Sequence, residues 1–271
     1  MKKLKKQLFA AVLTAVMAVS AFAGTTPVSA ASLSAKQYLT KMAKATEKVK
    51  SYEMKMNMNM DMSAEGQTSS IKTTSTAIAF TKPMKLKTVI TMTMPSADGK
   101  TAKMKMTSYT VQKNNKLLQY TSMDGKKYAK STLDMTDYSS TLDSLQATDM
   151  YSDMKIVKKN VKVNGTSTVQ VDAQISGGDM MNVIEQLGVT GTDSQETVSD
   201  YSSFSPIKVS IWIDKKTYYP IKQTVDMKDF MNEYLATIQP DTQISYSKIN
   251  TSVTYKNFNK AAKFSLPKSC K

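Results

Sequence analysis

Between Met54 and Met62 every second residue is methionine, and each residue between them is polar or charged. A repeat of two is the period of a β-strand, whose successive side chains point to opposite faces. A helix would scatter these five thioethers round its circumference. The segment can bury them together only as an extended strand with one apolar face. Glu53, Lys55, Asn57, Asn59 and Asp61 are then expected to face water. The same parity returns downstream, with Met84, Leu86, Ile90, Met92 and Met94 in one segment and Met104 and Met106 in the next. If these strands are neighbours in one sheet, their methionines gather into a single patch.

Around this row the chain alternates turn chemistry with strand patterning. Residues 34–50 predict an amphipathic helix, with Ser34 as its cap and Tyr38, Leu39, Met42, Ala45 and Val49 as its stripe. Strands are expected at 52–62, 70–80, 84–94, 101–111, 116–123 and 126–131. Their joints are Lys82-Pro83, the segment 95–99 and Asp124-Gly125, the last a two-residue hairpin signal. A polar stretch over 132–149 follows. Strands at 154–163 and 166–175 then flank Asn164-Gly165. Short helices are expected at 179–187, ended by Gly188, and at 226–239, capped by Asp226 and stopped by Pro240. A polar loop over 188–205 separates the first of these from strands at 206–214 and 218–225. Strands at 245–257 and 264–266 complete the chain. The pattern is α+β, an antiparallel sheet with an N-terminal helix and two inserted helices, in one domain over residues 31–271.

The ends and the charge narrow the function. Lys2, Lys3, Lys5 and Lys6 precede an uncharged, mostly apolar run over 8–23, and Val28-Ser29-Ala30 offers small residues for cleavage. Residues 1–30 therefore read as a secretory signal peptide. No cysteine stands near the run, so no lipid anchor is expected. Nothing later is apolar over the roughly eighteen residues that a spanning helix needs. The expected location is secreted or extracytoplasmic, at the cell envelope.

The 271 residues carry a formal charge of +15, and every basic residue is lysine. Without histidine there is no Ser-His-Asp triad and no imidazole ligand for a metal. Without arginine there is no planar fork for bidentate grip on phosphate or guanine. The charge thus suits loose attraction to an anionic cell-wall or membrane surface, or a solubilising role, and no nucleic-acid partner is expected. No paired carboxylates, phosphate loop or metal-ligand spacing stands out, so neither an enzyme nor a cofactor is expected. Cys270, the lone cysteine, can form no internal disulfide and reads as a frayed terminal residue.

The segment 209–222 carries an apolar strand with Trp212, Ile213 and Asp214, a short turn, and Pro220 opening the next strand. It resembles the strand-turn-strand of the bacterial lipoprotein-carrier superfamily, which includes the periplasmic lipoprotein carrier and mycobacterial lipid-binding lipoproteins. The leading helix running into a long strand, and the hairpin from Asp124 to Tyr128, are similar too. The resemblance implies a strongly curved antiparallel sheet, a half-open β-barrel, with helices across its concave mouth. It also implies binding of acyl chains or lipidated proteins without catalysis. The periplasmic carrier's arginine near its cavity has no counterpart here, so transfer of lipoproteins by the same means is not implied.

Three readings of the methionine row follow. It can be core, since methionine fills irregular gaps. It can be a pliable apolar surface, since unbranched thioethers repack around different shapes. It can bind Cu(I), a soft ion that suits thioether ligands, although alternate residues on one strand stand about 7 Å apart. The expectation is an exported, non-enzymatic protein holding a lipid or other hydrophobic small molecule against Met54, Met56, Met58, Met60, Met62, Ile90, Met92, Met94, Met104 and Met106. The alternatives are an envelope-associated structural or interaction protein held by its charge, and Cu(I) binding.

Overall fold

The structure, a computed structural model, describes residues 33–64, 66–96, 100–134, 150–186, 203–238 and 243–270. Residues 1–30, expected as a signal peptide, and most of the polar stretches 132–149 and 188–205 lie outside the described residues. In chain order the elements are α1 (Ala35–Glu47), β1 (Ser51–Ala64), β2 (Gln67–Thr81), β3 (Met84–Pro95), β4 (Thr101–Lys113), β5 (Lys116–Ser122) and β6 (Ala129–Asp134). They continue with β7 (Tyr151–Val163), β8 (Thr166–Ile175), α2 (Gly177–Gln186), β9 (Ile207–Asp214), β10 (Pro220–Asp226), α3 (Lys228–Ile238) and β11 (Ile244–Lys256). The class is α+β and the strand pairings are antiparallel, as expected. The described elements fall into two compact units, one of Val49–Thr136 with Gln243–Lys271, the other of Met1–Lys48 with Asp137–Thr242.

The first unit is a seven-stranded meander in the order β6-β5-β4-β3-β2-β1-β11. Consecutive strands pair through short joints: Lys82-Pro83 links Thr81 to its partner Met84, and Asn114-Asn115 links Lys113 to Lys116. Asn114 takes a φ of 55°, which asparagine tolerates better than most residues. That joint carried no glycine and went unmarked in the sequence. Asp124-Gly125 is not a two-residue turn. The last paired residues are Thr121 and Ala129, and the Asp124 carboxylate organises the longer loop between them. Its Oδ1 accepts from the backbone N–H of Lys126 at 2.7 Å and of Lys127 at 2.9 Å, and from Ser122 Oγ at 2.9 Å. A short polar side chain that captures backbone donors two and three residues on supplies a turn of its own, so strand β6 starts at 129 and not at 126.

The expected strand at 264–266 does not form. The C-terminal segment instead lies against this sheet, where Phe264 and Leu266, like Val111 and Leu118, pack against the buried group of Tyr109, Tyr120 and Cys270. Cys270 is buried beside them at 5% exposure, so it is not a frayed end. The segment is pinned at its start by the Asn259 N–H donating to Ser51 O at 2.7 Å and by the Lys50 N–H donating to Asn259 Oδ1 at 2.7 Å.

The second unit pairs β10-β9-β8-β7 and carries the three helices found among the described residues. Val169, Val171, Ala173 and Ile175 of β8 and Ile207, Val209, Ile211 and Ile213 of β9 turn one face to Leu39, Met42, Met180, Met181 and Phe230. Helix α1 stops at Glu47, three residues before the expected end, and begins with a capping box. Ser34 Oγ accepts from the Gln37 N–H at 3.3 Å, and Gln37 Oε1 accepts from the Ser34 N–H at 2.8 Å. Asn164 and Gly165, at φ of 49° and 81°, close the two-residue β7–β8 hairpin expected there. Asp226 ends β10 and accepts from the Lys228 N–H at 3.1 Å, so helix α3 starts just after it. In the β9–β10 turn, Asp214 accepts from the Lys216 N–H at 2.9 Å and from Thr217 Oγ1 at 2.6 Å. Trp212 points away from the core and stacks under Lys222 Nζ, 4.6 Å from the ring centroid.

A candidate ligand-binding face

Directly opposed residues in antiparallel strands share a face, so the register shows what surrounds each methionine. Met56 stands between Ser75 of β2 and Val253 of β11, and Met58 between Thr73 and Thr251. Met60 stands between Ile71 and Ile249, and Met54 between Ala77 and Tyr255. One strand further, Ile90 opposes Ser75 and Met92 opposes Thr73. On β4, Met106 opposes Ile90, Met104 opposes Met92, and Ala102 opposes Met94. The ten residues singled out in the sequence therefore lie on one face of β1, β3 and β4.

Their burial is graded. Met54, Met56, Met58, Met60, Ile90 and Met92 are buried, whereas Met62, Met94, Met104 and Met106 are only partly covered. The buried group lies at the middle of the strands and the half-exposed group towards one end. Met62 departs from the regular ladder because the β1–β11 register slips between Asp61 and Met62, which places it opposite Tyr246. Among the ten, Met92 and Met104 are the one directly opposed pair of thioethers. No cluster of three His, Cys, Asp or Glu side chains occurs among the described residues.

The electrostatics of the two faces differ sharply. Every residue registered with the methionines on β1 to β4 and β11 is uncharged. The opposite face carries Glu53, Lys55, Asp61, Lys87 and Lys105. Not all of the polar residues between the methionines reach open water: Lys55 is exposed, while Glu53, Asn57, Asn59 and Asp61 are half-buried. The Glu53 carboxyl is held below its usual range, first by the Ala262 N–H that it accepts at 3.1 Å, then by Asn257 and Lys256.

Sequence reasoning missed the residues between the methionine strands. Strand β2 places Ile71, Thr73, Ser75, Ala77 and Ala79 on this face, and all five are buried. The alternation was legible, but threonine and serine at the inward positions masked it as a polar strand. Four of the face's hydroxyls, Thr73 Oγ1, Ser75 Oγ, Ser108 Oγ and Thr251 Oγ1, are buried without a hydrogen-bond partner among the described residues. Strand β11 contributes Ile249 and Val253, nearly two hundred residues from the methionine row in sequence.

Solved structures similar to this chain include the Mycobacterium tuberculosis lipoprotein LppX, at 10% identity over 84% of this chain and 97% of that one, with a TM-score of 0.48. A DUF1329 family protein from Desulfovibrio piger is similar at 10% identity over 85% of this chain and 93% of that one, with a TM-score of 0.26. A candidate outer membrane lipoprotein-sorting domain from Vibrio parahaemolyticus follows at 10% identity over 75% and 83%, with a TM-score of 0.22. No curated protein matches the chain. A single family model matches residues 34–271, across both units, and the chain belongs to that family, DUF6612, a family of unknown function.

Proposed function

We propose that this is an exported, non-enzymatic binding protein that holds a lipid or other hydrophobic ligand against the methionine face of the seven-stranded unit. The supporting observation is the registration of the methionines from β1, β3 and β4 on one uncharged face, interleaved with small side chains from β2. A core that needs one tight packing is better served by branched side chains, which methionine's three rotatable bonds do not imitate. Flexible thioethers next to Ser75 and Ala77 make a surface that can reshape around an inserted chain. The single family model across residues 34–271 favours reading 31–271 as one functional domain.

The test is titration of the full chain with a fluorescent fatty-acyl probe, together with native mass spectrometry of protein from its own host. Saturable uptake is expected. Met58→Trp and Met92→Trp, which add bulk at the middle of the face, should each weaken it about tenfold in proteins that keep their circular dichroism. No probe uptake together with no co-purifying lipid would overturn the reading.

A second reading has its own observation. On β7, Lys155, Lys158, Lys159 and Lys162 are all exposed. Such a row suits an anionic envelope surface, and it is compatible with a ligand held elsewhere.

A further inference from the structure

The methionine face is not purely apolar, and its polar atoms are oddly placed. Thr73, Ser75, Ser108 and Thr251 are 0%, 1%, 6% and 2% exposed. Their hydroxyls have no partner among the described residues. A buried hydroxyl without a partner has given up water and gained nothing, so four on one face ask for an explanation. The register places three of them near one another. Thr73 and Thr251 flank Met58 on either side, about 10 Å apart by two strand spacings. Ser75 follows Thr73 on the same strand, about 7 Å along. Ser108 opposes Thr88 on β3 and lies farther off, two strands across and one step along the face from Ser75.

We propose that these hydroxyls select the ligand: a neutral lipid carrying ester or hydroxyl oxygens, of the acylglycerol class. This rests on the apolar-ligand reading above and sharpens it. A serine or threonine hydroxyl both donates and accepts, so it can meet an ester carbonyl or an alcohol equally well. The methionines beside it meet the acyl chains. A charged head group is disfavoured, because no lysine or acid is registered on this face of β1 to β4 or β11. A carboxylate or phosphate placed there would be desolvated with no opposite charge to offset the loss. A plain hydrocarbon would leave the four hydroxyls as they are. The neutral ester satisfies both halves of the surface.

The experiment uses the full chain loaded with a fluorescent acyl probe and three competitors of similar chain length: monooleoylglycerol, oleate and octadecene. Monooleoylglycerol is expected to displace the probe best. The double variant Thr73→Val with Thr251→Val keeps the side-chain shape and removes two hydroxyls. It should weaken displacement by monooleoylglycerol roughly tenfold and leave octadecene unchanged, since one net hydrogen bond or two accounts for about that factor. Its thermal midpoint without ligand should be equal or higher, because the lost hydroxyls had no partner. Ser75→Ala should act in the same direction and serves as an independent variant. Equal weakening of monooleoylglycerol and octadecene, no weakening of either, or preference for oleate would each overturn the proposal while acyl binding itself stands. Failure of every probe to bind would remove the underlying reading along with it.

Discussion

Asp124 shows how one carboxylate sets a loop and a pH response. Two backbone N–H groups and the Ser122 hydroxyl converge on it, and they hold its pKa down to about 2 from an ordinary 3.8. A carboxyl whose folded value is depressed adds stability that is present above the unfolded value and lost as pH falls through the folded one. Its contribution should therefore fade between about pH 4 and about pH 2. Asp124→Asn should flatten the acid limb of a thermal-midpoint profile in that window and lower the midpoint at pH 7. An unchanged acid limb would show that the loop does not need the charge. Tyr151 is the alkaline counterpart. Burial raises its phenol well above 10.0, so the neutral ring stabilises the fold below that value and becomes a liability as pH rises past it. Tyr151→Phe should move alkaline unfolding, followed by fluorescence, to higher pH.

Elements are joined by close contacts that only some residue types allow. Helix α2 begins at Gly177, where an added Cβ would meet Phe204 Cβ at 2.5 Å and its carbonyl oxygen at 2.6 Å. Phe204 in turn meets Phe230 of α3 edge-on, with ring centroids 5.8 Å apart. Gly177→Ala must push the Phe204 backbone away, so urea unfolding should show a loss of about 1–3 kcal/mol, an overpacking cost. At the start of α1, Ser34→Ala removes half of the capping box and should cost about 1 kcal/mol in the same assay. Element types were largely legible, because the change from a period of 3.6 to a period of 2 near Ser51 marks the end of α1 whatever else surrounds it. Boundaries were less so. The loop after Ser122 follows hydrogen bonds that Asp124 makes to residues beyond the apparent turn. The segment 264–266 finds aromatic rings in place of a strand partner.

For the molecule as a whole, charge and apolar surface should separate under salt. Raising ionic strength from about 0.1 M to about 1 M shortens the screening length from about 10 Å to about 3 Å. Attachment of the full chain to vesicles rich in anionic lipid should then fall several-fold, and replacing Lys155, Lys158, Lys159 and Lys162 with glutamine should reproduce that loss at low salt. Acyl-probe uptake should hardly change in either case. Attachment that survives high salt would assign surface binding to apolar contact.

The order of residues alone determined that Met54 to Met62 form a strand with one thioether face, because side-chain alternation is a property of the extended backbone and needs no partner. It also determined that histidine and arginine chemistry are closed to this chain. Which strands lie beside that row was decided by tertiary structure. Pairing Met56 with Ser75 on one side and Val253 on the other depends on non-local hydrogen-bond register, which a linear pattern does not encode. The same pairing buried the Thr73 and Thr251 hydroxyls among methionines. Those positions read as ordinary polar residues until their neighbours across the sheet were in place.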